Sequence, residues 1–194
     1  MQNDNMFDLD ALLASTDLNK VTSDGAGFEE LPQGYYLCEV AGGEFTTNKQ
    51  GYPMVKMTLT TLYDGLCEQL DEDGKAVEDE DGNLIINQAP KTAGRKIFKN
   101  FTLKDADSIK RFVSDMLKFE STDNPGESML SREYFGTKEN IVAALECVKG
   151  LTIFVRATLG KATPEYPTPS NFYSFVSWKN VDKLGLLEML NVGE

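Results

Sequence analysis

There is no histidine among the 194 residues. That excludes Ser-His-Asp and Cys-His catalysis, His-ligated zinc and histidine proton relays. Cysteine is scarce as well. Cys38, Cys67 and Cys147 are odd in number, far apart, and form no C-x-x-C pair. Such a set builds no disulfide framework and fits a reducing cytoplasm. Cys38 and Cys147 read as small apolar core groups. No apolar run approaches the ~20 residues of a membrane span. The start, Met1-Gln2-Asn3-Asp4-Asn5, lacks the basic-then-apolar layout of a signal peptide. The expectation is a soluble cytoplasmic protein with no membrane partner.

Motifs for enzyme chemistry are missing too. Gly74-Lys75 and Gly160-Lys161 are each followed by Ala and lack the upstream glycine of a phosphate loop. No G-x-S-x-G elbow occurs. With Gly74 or Gly82 in the glycine position of a calcium loop, the first ligand position falls on Gln69 or Val77, which cannot serve. The chain reads as a non-enzyme with no cofactor and no metal site.

Acid is abundant: the net charge is -12. Its placement matters more than its sum. Residues 1–33 hold seven acids and one base, and residues 64–83 hold nine acids and one base. Everything else carries 15 acids and 17 bases, so the body is slightly basic. Residues 1–33 read as an acidic, partly flexible arm. Within it Phe7, Leu9, Leu12 and Leu13 form one apolar knot at roughly helical spacing, with Asp8 or Asp10 able to cap a short helix; a partly disordered tail and a short partner-docking helix are the two readings. Residues 64–93 read as an acidic insertion forming an excursion hairpin, with Leu84-Ile85-Ile86 as its return.

The body, residues 34–180, alternates between strand and helix patterns. Residues 35–40 are aromatic and β-friendly. Residues 54–63 alternate cleanly, with Val55, Met57 and Leu59 on one side and Lys56, Thr58 and Thr60 on the other. Residues 95–103 form a third strand. Asp105 or Asp107 then caps a helix whose stripe is Ile109, Phe112, Val113, Met116 and Leu117. A second helix runs from Thr137 to Val148, with Gly150 as its stop. Residues 151–159 and 172–178 complete five strands, separated by a Pro-rich loop. Residues 181–194 form a short helix and tail. Its leucines, Leu184, Leu187 and Leu190, suit packing on the body or on another copy, so a homo-oligomer stays open.

Five strands with helix between the third and fourth predict a mainly β, α+β fold of the OB type. This is a five-stranded barrel whose ligand groove is flanked by its first-second and fourth-fifth loops. A generic α+β sheet is the competitor. With the more apolar side of each strand inward, one face shows Lys56, Lys96, Phe98, Phe154 and Arg156, and the loops add Lys49, Tyr52, Lys161 and Tyr166. Cations meeting phosphates and rings stacking on bases suit single-stranded nucleic acid. Core packing of the aromatics is the competing reading of the same pattern.

Three runs of residues resemble one family. They are Pro32-x-Gly34-x-Tyr36, Thr47-x-x-x-Gly51-x-Pro53-Met54-x-Lys56 and Gly94-Arg95-Lys96-Ile97-Phe98-x-x-Phe101-Thr102-Leu103. They look like a family of short phage proteins, long catalogued without a function, that sit among replication and recombination genes. Its members are thought to be OB-fold single-stranded-DNA-binding proteins. The resemblance covers residues 28–180. It implies a phage protein that coats single strands, with phage replication or recombination proteins as partners and no catalytic residue. The acidic segments of such proteins are normally C-terminal, whereas here they lie in the arm and the insertion. The alternative function is an acidic interaction module or DNA mimic that binds a basic protein.

Overall fold

The computed structural model describes residues 30–121, 126–160 and 170–190. Most of the expected arm and the Pro-rich loop fall outside the described residues. The body begins at Leu31, which is buried and whose carbonyl accepts a hydrogen bond from Asn171 Nδ2 at 2.6 Å.

Among the described residues, seven strands form one antiparallel sheet: β1 (Gly34–Thr47), β2 (Pro53–Thr61), β3 (Gly65–Glu68), β4 (Ile86–Ala89), β5 (Lys96–Thr102), β6 (Thr152–Leu159) and β7 (Asn171–Val176). The helices are α1 (Ala106–Met116), α2 (Lys138–Val148), α3 (Trp178–Leu184) and α4 (Leu186–Met189), with a 3-10 turn at Arg132–Phe135. The main path runs β5-β2-β1-β6-β7, and the β3-β4 hairpin adds to β1 through Gly34↔Cys67 and Tyr35↔Leu66. The five expected strands and the three expected helical regions are present. The first strand runs further than its pattern implies. The pattern ends at Val40, but the register shifts by a bulge between Val40 and Gly42, so the strand bends and continues.

The acidic insertion forms the expected excursion. Its two strands pair, and the bridges Leu70↔Ala76 and Glu78↔Leu84 extend it. Its neck is sealed by polar groups. Asp64 Oδ1 accepts from the backbone N–H of Thr92 at 2.8 Å and of Ala93 at 3.0 Å. Thr92 Oγ1 accepts from Gly65 N–H at 2.7 Å. Gly65 is required there: a Cβ would sit 2.1 Å from the Tyr36 ring.

The main core lies on one side of the sheet. Cys38, Val40, Val55, Met57, Leu59, Ile97, Ile153 and Val155 meet Phe112 and Met116 of α1 and Ala144, Leu145 and Val148 of α2. Asp105, one of the two expected caps, starts α1. Its Oδ1 accepts from Ser108 N–H while Ser108 Oγ accepts from Asp105 N–H. Thr137 caps α2 as expected.

Among the described residues no ladder joins β5 to β7, so backbone pairing leaves an open sheet of seven strands where the sequence predicts a five-stranded barrel. Lysine side chains from β5 and from the segment just past α1 reach the β7 carbonyls instead. Lys99 of β5 donates to the Tyr173 carbonyl, and Lys118 donates to the Phe175 carbonyl at 2.7 Å.

A second, smaller core covers part of the opposite face. Tyr35, Leu37, Leu66 and Phe154 pack against Val181, Leu186 and Leu190. The C-terminal leucine stripe is thereby partly answered. Leu190 is buried in the chain's own fold, whereas Leu187 stays exposed. Among the described residues no helix is long and apolar enough to cross a membrane.

Candidate nucleic-acid interface

Register fixes what the sheet shows on the face away from the main core. Three rows cross β1, β2 and β5: Glu44–Lys56–Asn100, Gly42–Thr58–Phe98 and Glu39–Thr60–Lys96. Side chains directly opposite in an antiparallel pair point to the same side, so these nine positions share one surface. Phe98 is 63% exposed at the end of the middle row. Gly42 faces open space, since a Cβ there would meet no atom within 4 Å. The result is a groove of about 440 Å³ with Gly42, Gly43, Lys56, Thr58, Phe98 and Asn100 on its walls.

The β1-β2 turn closes the Lys56 end of this face. Asn48 Oδ1 accepts from the N–H groups of Gln50 and Tyr52, each at 3.0 Å, and Gly51 takes φ +86°. This turn leaves Lys49 and Tyr52 exposed. Lys56 pairs with Glu44 at 3.3 Å, both side chains being roughly half exposed. A pair this wet contributes little, on the order of 0–1 kcal/mol, so a phosphate can displace Glu44. The face is balanced in charge: Lys56 and Lys96 stand against Glu39 and Glu44. What distinguishes this face is therefore the exposed ring and the polar groups, not net charge.

Phe154 corrects the expected site. Its side chain is on the predicted side of β6, but it is 1% exposed. The C-terminal helices cover that half of the face, and Trp178 meets Phe154 edge-on with ring centroids 6.0 Å apart. It is a core residue and cannot stack on a base.

Arg156 shares this half of the face and is committed elsewhere. Its guanidinium reaches Glu68 Oε1 at 2.7 Å and lies over the Tyr35 ring at 5.5 Å. The Glu68 side chain is fully buried and also accepts from Gln33 Nε2 at 2.8 Å. Burial raises the Tyr35 phenol above its ordinary pKa, against the lowering pull of Arg156. Arg156 is thus the counter-ion of a buried carboxylate. Lys161 and Tyr166 lie outside the described residues.

The structure brings Lys56, Lys96 and Phe98 together, with Lys49 and Tyr52 at the adjoining turn. It also shows an aromatic that the sequence reading passed over. Phe172 of β7 is 70% exposed, opposite Thr158. Alternation in the fifth strand held the signal, because Phe172 falls on the side opposite Tyr173 and Phe175. Among the described residues no group of three or more Cys, Asp or Glu side chains is placed to hold a metal ion.

No protein-family model matches this chain, and no curated protein matches it.

Proposed function

We propose that this chain is a non-catalytic single-stranded-DNA-binding protein of a phage. It coats strands during replication or recombination in the host cytoplasm, largely irrespective of sequence. The observation that carries the reading is the Gly42–Thr58–Phe98 row: an exposed ring beside an open groove, with Lys56 and Lys96 two residues away along each strand. Ring stacking on bases contributes about 1–3 kcal/mol per base and tolerates any base. The polar neighbours Thr58, Thr60 and Asn100 offer hydrogen bonds to sugar and phosphate.

The strand path β5-β2-β1-β6-β7, with α1 and α2 between its third and fourth members in chain order, supports an OB-like barrel. The bridges to the β7 carbonyls from Lys99 of β5 and from Lys118, just past α1, would hold its seam.

The test is a titration of the protein into fluorescent oligothymidine, with a duplex of equal length beside it. Binding to the single strand alone is expected, with a log–log salt slope of about -2 if Lys49, Lys56 and Lys96 each neutralise one phosphate. Equal affinity for duplex, or no binding by folded protein at low salt, overturns the reading.

One observation favours the second reading, an acidic module for a basic partner. Residues 71–75 and 79–83 repeat Asp-Glu-Asp-Gly and fold alike. Asp71 Oδ1 accepts from Asp73 and Lys75 N–H, and Asp79 Oδ1 accepts from Asp81 and Asn83 N–H. The insertion therefore holds its acids on two fixed turns.

A further inference from the structure

Helix α1 carries more apolar surface than the core uses. Phe112 and Met116 are fully buried beneath it. Ile109, Val113 and Leu117 follow one another at four-residue spacing along its flank, and Ile109 is 43% exposed. They floor an apolar groove of about 420 Å³, completed by Ser114 and rimmed by Lys110 and Arg132. The rim is cationic. Lys110 touches Asp107 at 3.4 Å, but both side chains are about three-quarters exposed, so that pair is easily exchanged.

A groove with an apolar floor and a basic rim fits an acidic segment that bears bulky apolar side chains. The chain owns one. Residues 4–13 hold Asp4, Asp8 and Asp10, no base, and Met6, Phe7, Leu9, Leu12 and Leu13. Residues 14–29 separate this stretch from the first described residue. At up to ~3.3 Å per residue they span about 50 Å, enough to reach a neighbouring molecule.

We propose that the α1 groove of one copy receives residues 4–13 of a second copy. The contact is heterologous: each copy offers one segment and one groove. Reciprocal exchange closes a pair and one-way exchange extends a row; both use this same contact. Copies linked in a row would line up along a strand, although the inference does not depend on strand binding. A single short segment buries little area, so the association is weak and reversible.

The experiment is sedimentation of the full chain over the micromolar range, with two variants. Ile109→Asp spoils the groove at an exposed position, and Leu12→Asp spoils the segment. The wild type is expected to grow in mass with concentration, and each variant alone to stay monomeric. An equimolar mixture of the two variants has one intact groove and one intact segment. It should give a one-to-one complex and nothing larger. Arg132→Glu, also at an exposed position, should weaken wild-type association while circular dichroism confirms an unchanged fold. A wild type that is monomeric throughout overturns the proposal, and this includes docking of the segment within its own chain. So does association that both variants retain, or a mixture of variants that stays monomeric.

Discussion

The Lys99 ammonium on β5 stands 3.1 Å from the Asp115 carboxylate on α1 while donating to the Tyr173 carbonyl of β7. Lys118 meets the same carboxylate at 2.7 Å and donates to the next inward-facing carbonyl of β7, that of Phe175. One acid thus holds two lysines, and the lysines satisfy carbonyls that a strand ladder would otherwise take. The rings of Phe101 and Phe175 lie 4.5 and 5.1 Å from the Lys99 ammonium. Burial lowers the pKa of Lys99, and Asp115 pulls it back up.

Breaking this cluster from its centre is expected to cost most. Asp115→Asn strips both lysines of their counter-ion and should destabilise by about 3 kcal/mol. Lys99→Met replaces a buried charge by an apolar chain of similar length and should cost clearly less, because Asp115 keeps Lys118. Urea unfolding midpoints at neutral pH compare the two. Equal losses would show that the shared carboxylate is not the centre of the cluster.

Two phenylalanines on the same sheet face should behave oppositely. Phe98→Ala should change stability by less than about 0.5 kcal/mol, as a surface substitution does. Under the proposed function it also lowers affinity for oligothymidine by about 5- to 100-fold. Phe154→Ala opens a cavity beneath Trp178 and should cost about 3–5 kcal/mol. Thermal melting read beside fluorescence anisotropy separates them. A Phe98 variant that folds and binds like the wild type removes Phe98 from the interface.

Filling the groove offers a test that deletes nothing. Gly42 has no positive φ, and a Cβ there meets nothing. Gly42→Val should therefore fold normally while placing a branched side chain beside Thr58 and Phe98. Loss of single-strand affinity with an unchanged melting temperature is the expected result.

The acidic insertion can be trimmed without touching the sheet. Gln69 N–H donates to the Ile85 carbonyl at 2.8 Å at the base of the excursion, so residues 70–84 can be exchanged for a two-residue Asn-Gly turn. Deleting residues 64–83 outright would remove β3 and the buried Glu68 and is the wrong cut. With the trimmed chain, single-strand affinity should persist or rise. Loss of a basic protein partner's binding, with no DNA affinity in either chain, would favour the acidic-module reading.

Stability should fall at alkaline pH. Burial pushes the Cys38 thiol from an ordinary value of 9.0 to about 12, and burial also raises Tyr36, Tyr35 and Cys67. Between the unfolded and folded values of each group the folded chain holds the extra proton. Stability is intact below about pH 9 and declines above it, by up to about 1.4 kcal/mol per pH unit for each group. Lys99, lowered in the fold, acts in the opposite sense over its own range. Cys38→Ala should flatten the decline between pH 9 and 10 in a series of thermal melts.

Much of the architecture was legible in the order of residues because period and punctuation are local properties. Val55, Met57 and Leu59 alternate with Lys56, Thr58 and Thr60, and they face as that alternation requires. Asp105 and Thr137 cap helices because their side chains reach a backbone N–H three residues on. Phe98 was legible as an outward ring for the same reason. The bulge at Ala41 was not, since small residues there mark an interruption without saying whether the strand ends or bends.

Phe154 marks the limit of such reading. Alternation placed it correctly on the side of β6 away from the main core, as it did Phe98 on β5. Whether that side is wet depends on residues 178–190, which fold back over Leu37 and Phe154 but leave β2 and β5 bare. Arg156 follows the same rule, because its buried partner Glu68 is 88 residues away. The sequence by itself determined the strands, the caps, the sides on which residues project and the placement of charge, all set by neighbours a few residues apart. Only the tertiary structure decided which half of a face stays open, which side chains reach from β5 and the end of α1 to β7, and which cation is tied to a buried carboxylate. Those outcomes depend on contacts between segments that lie far apart along the chain.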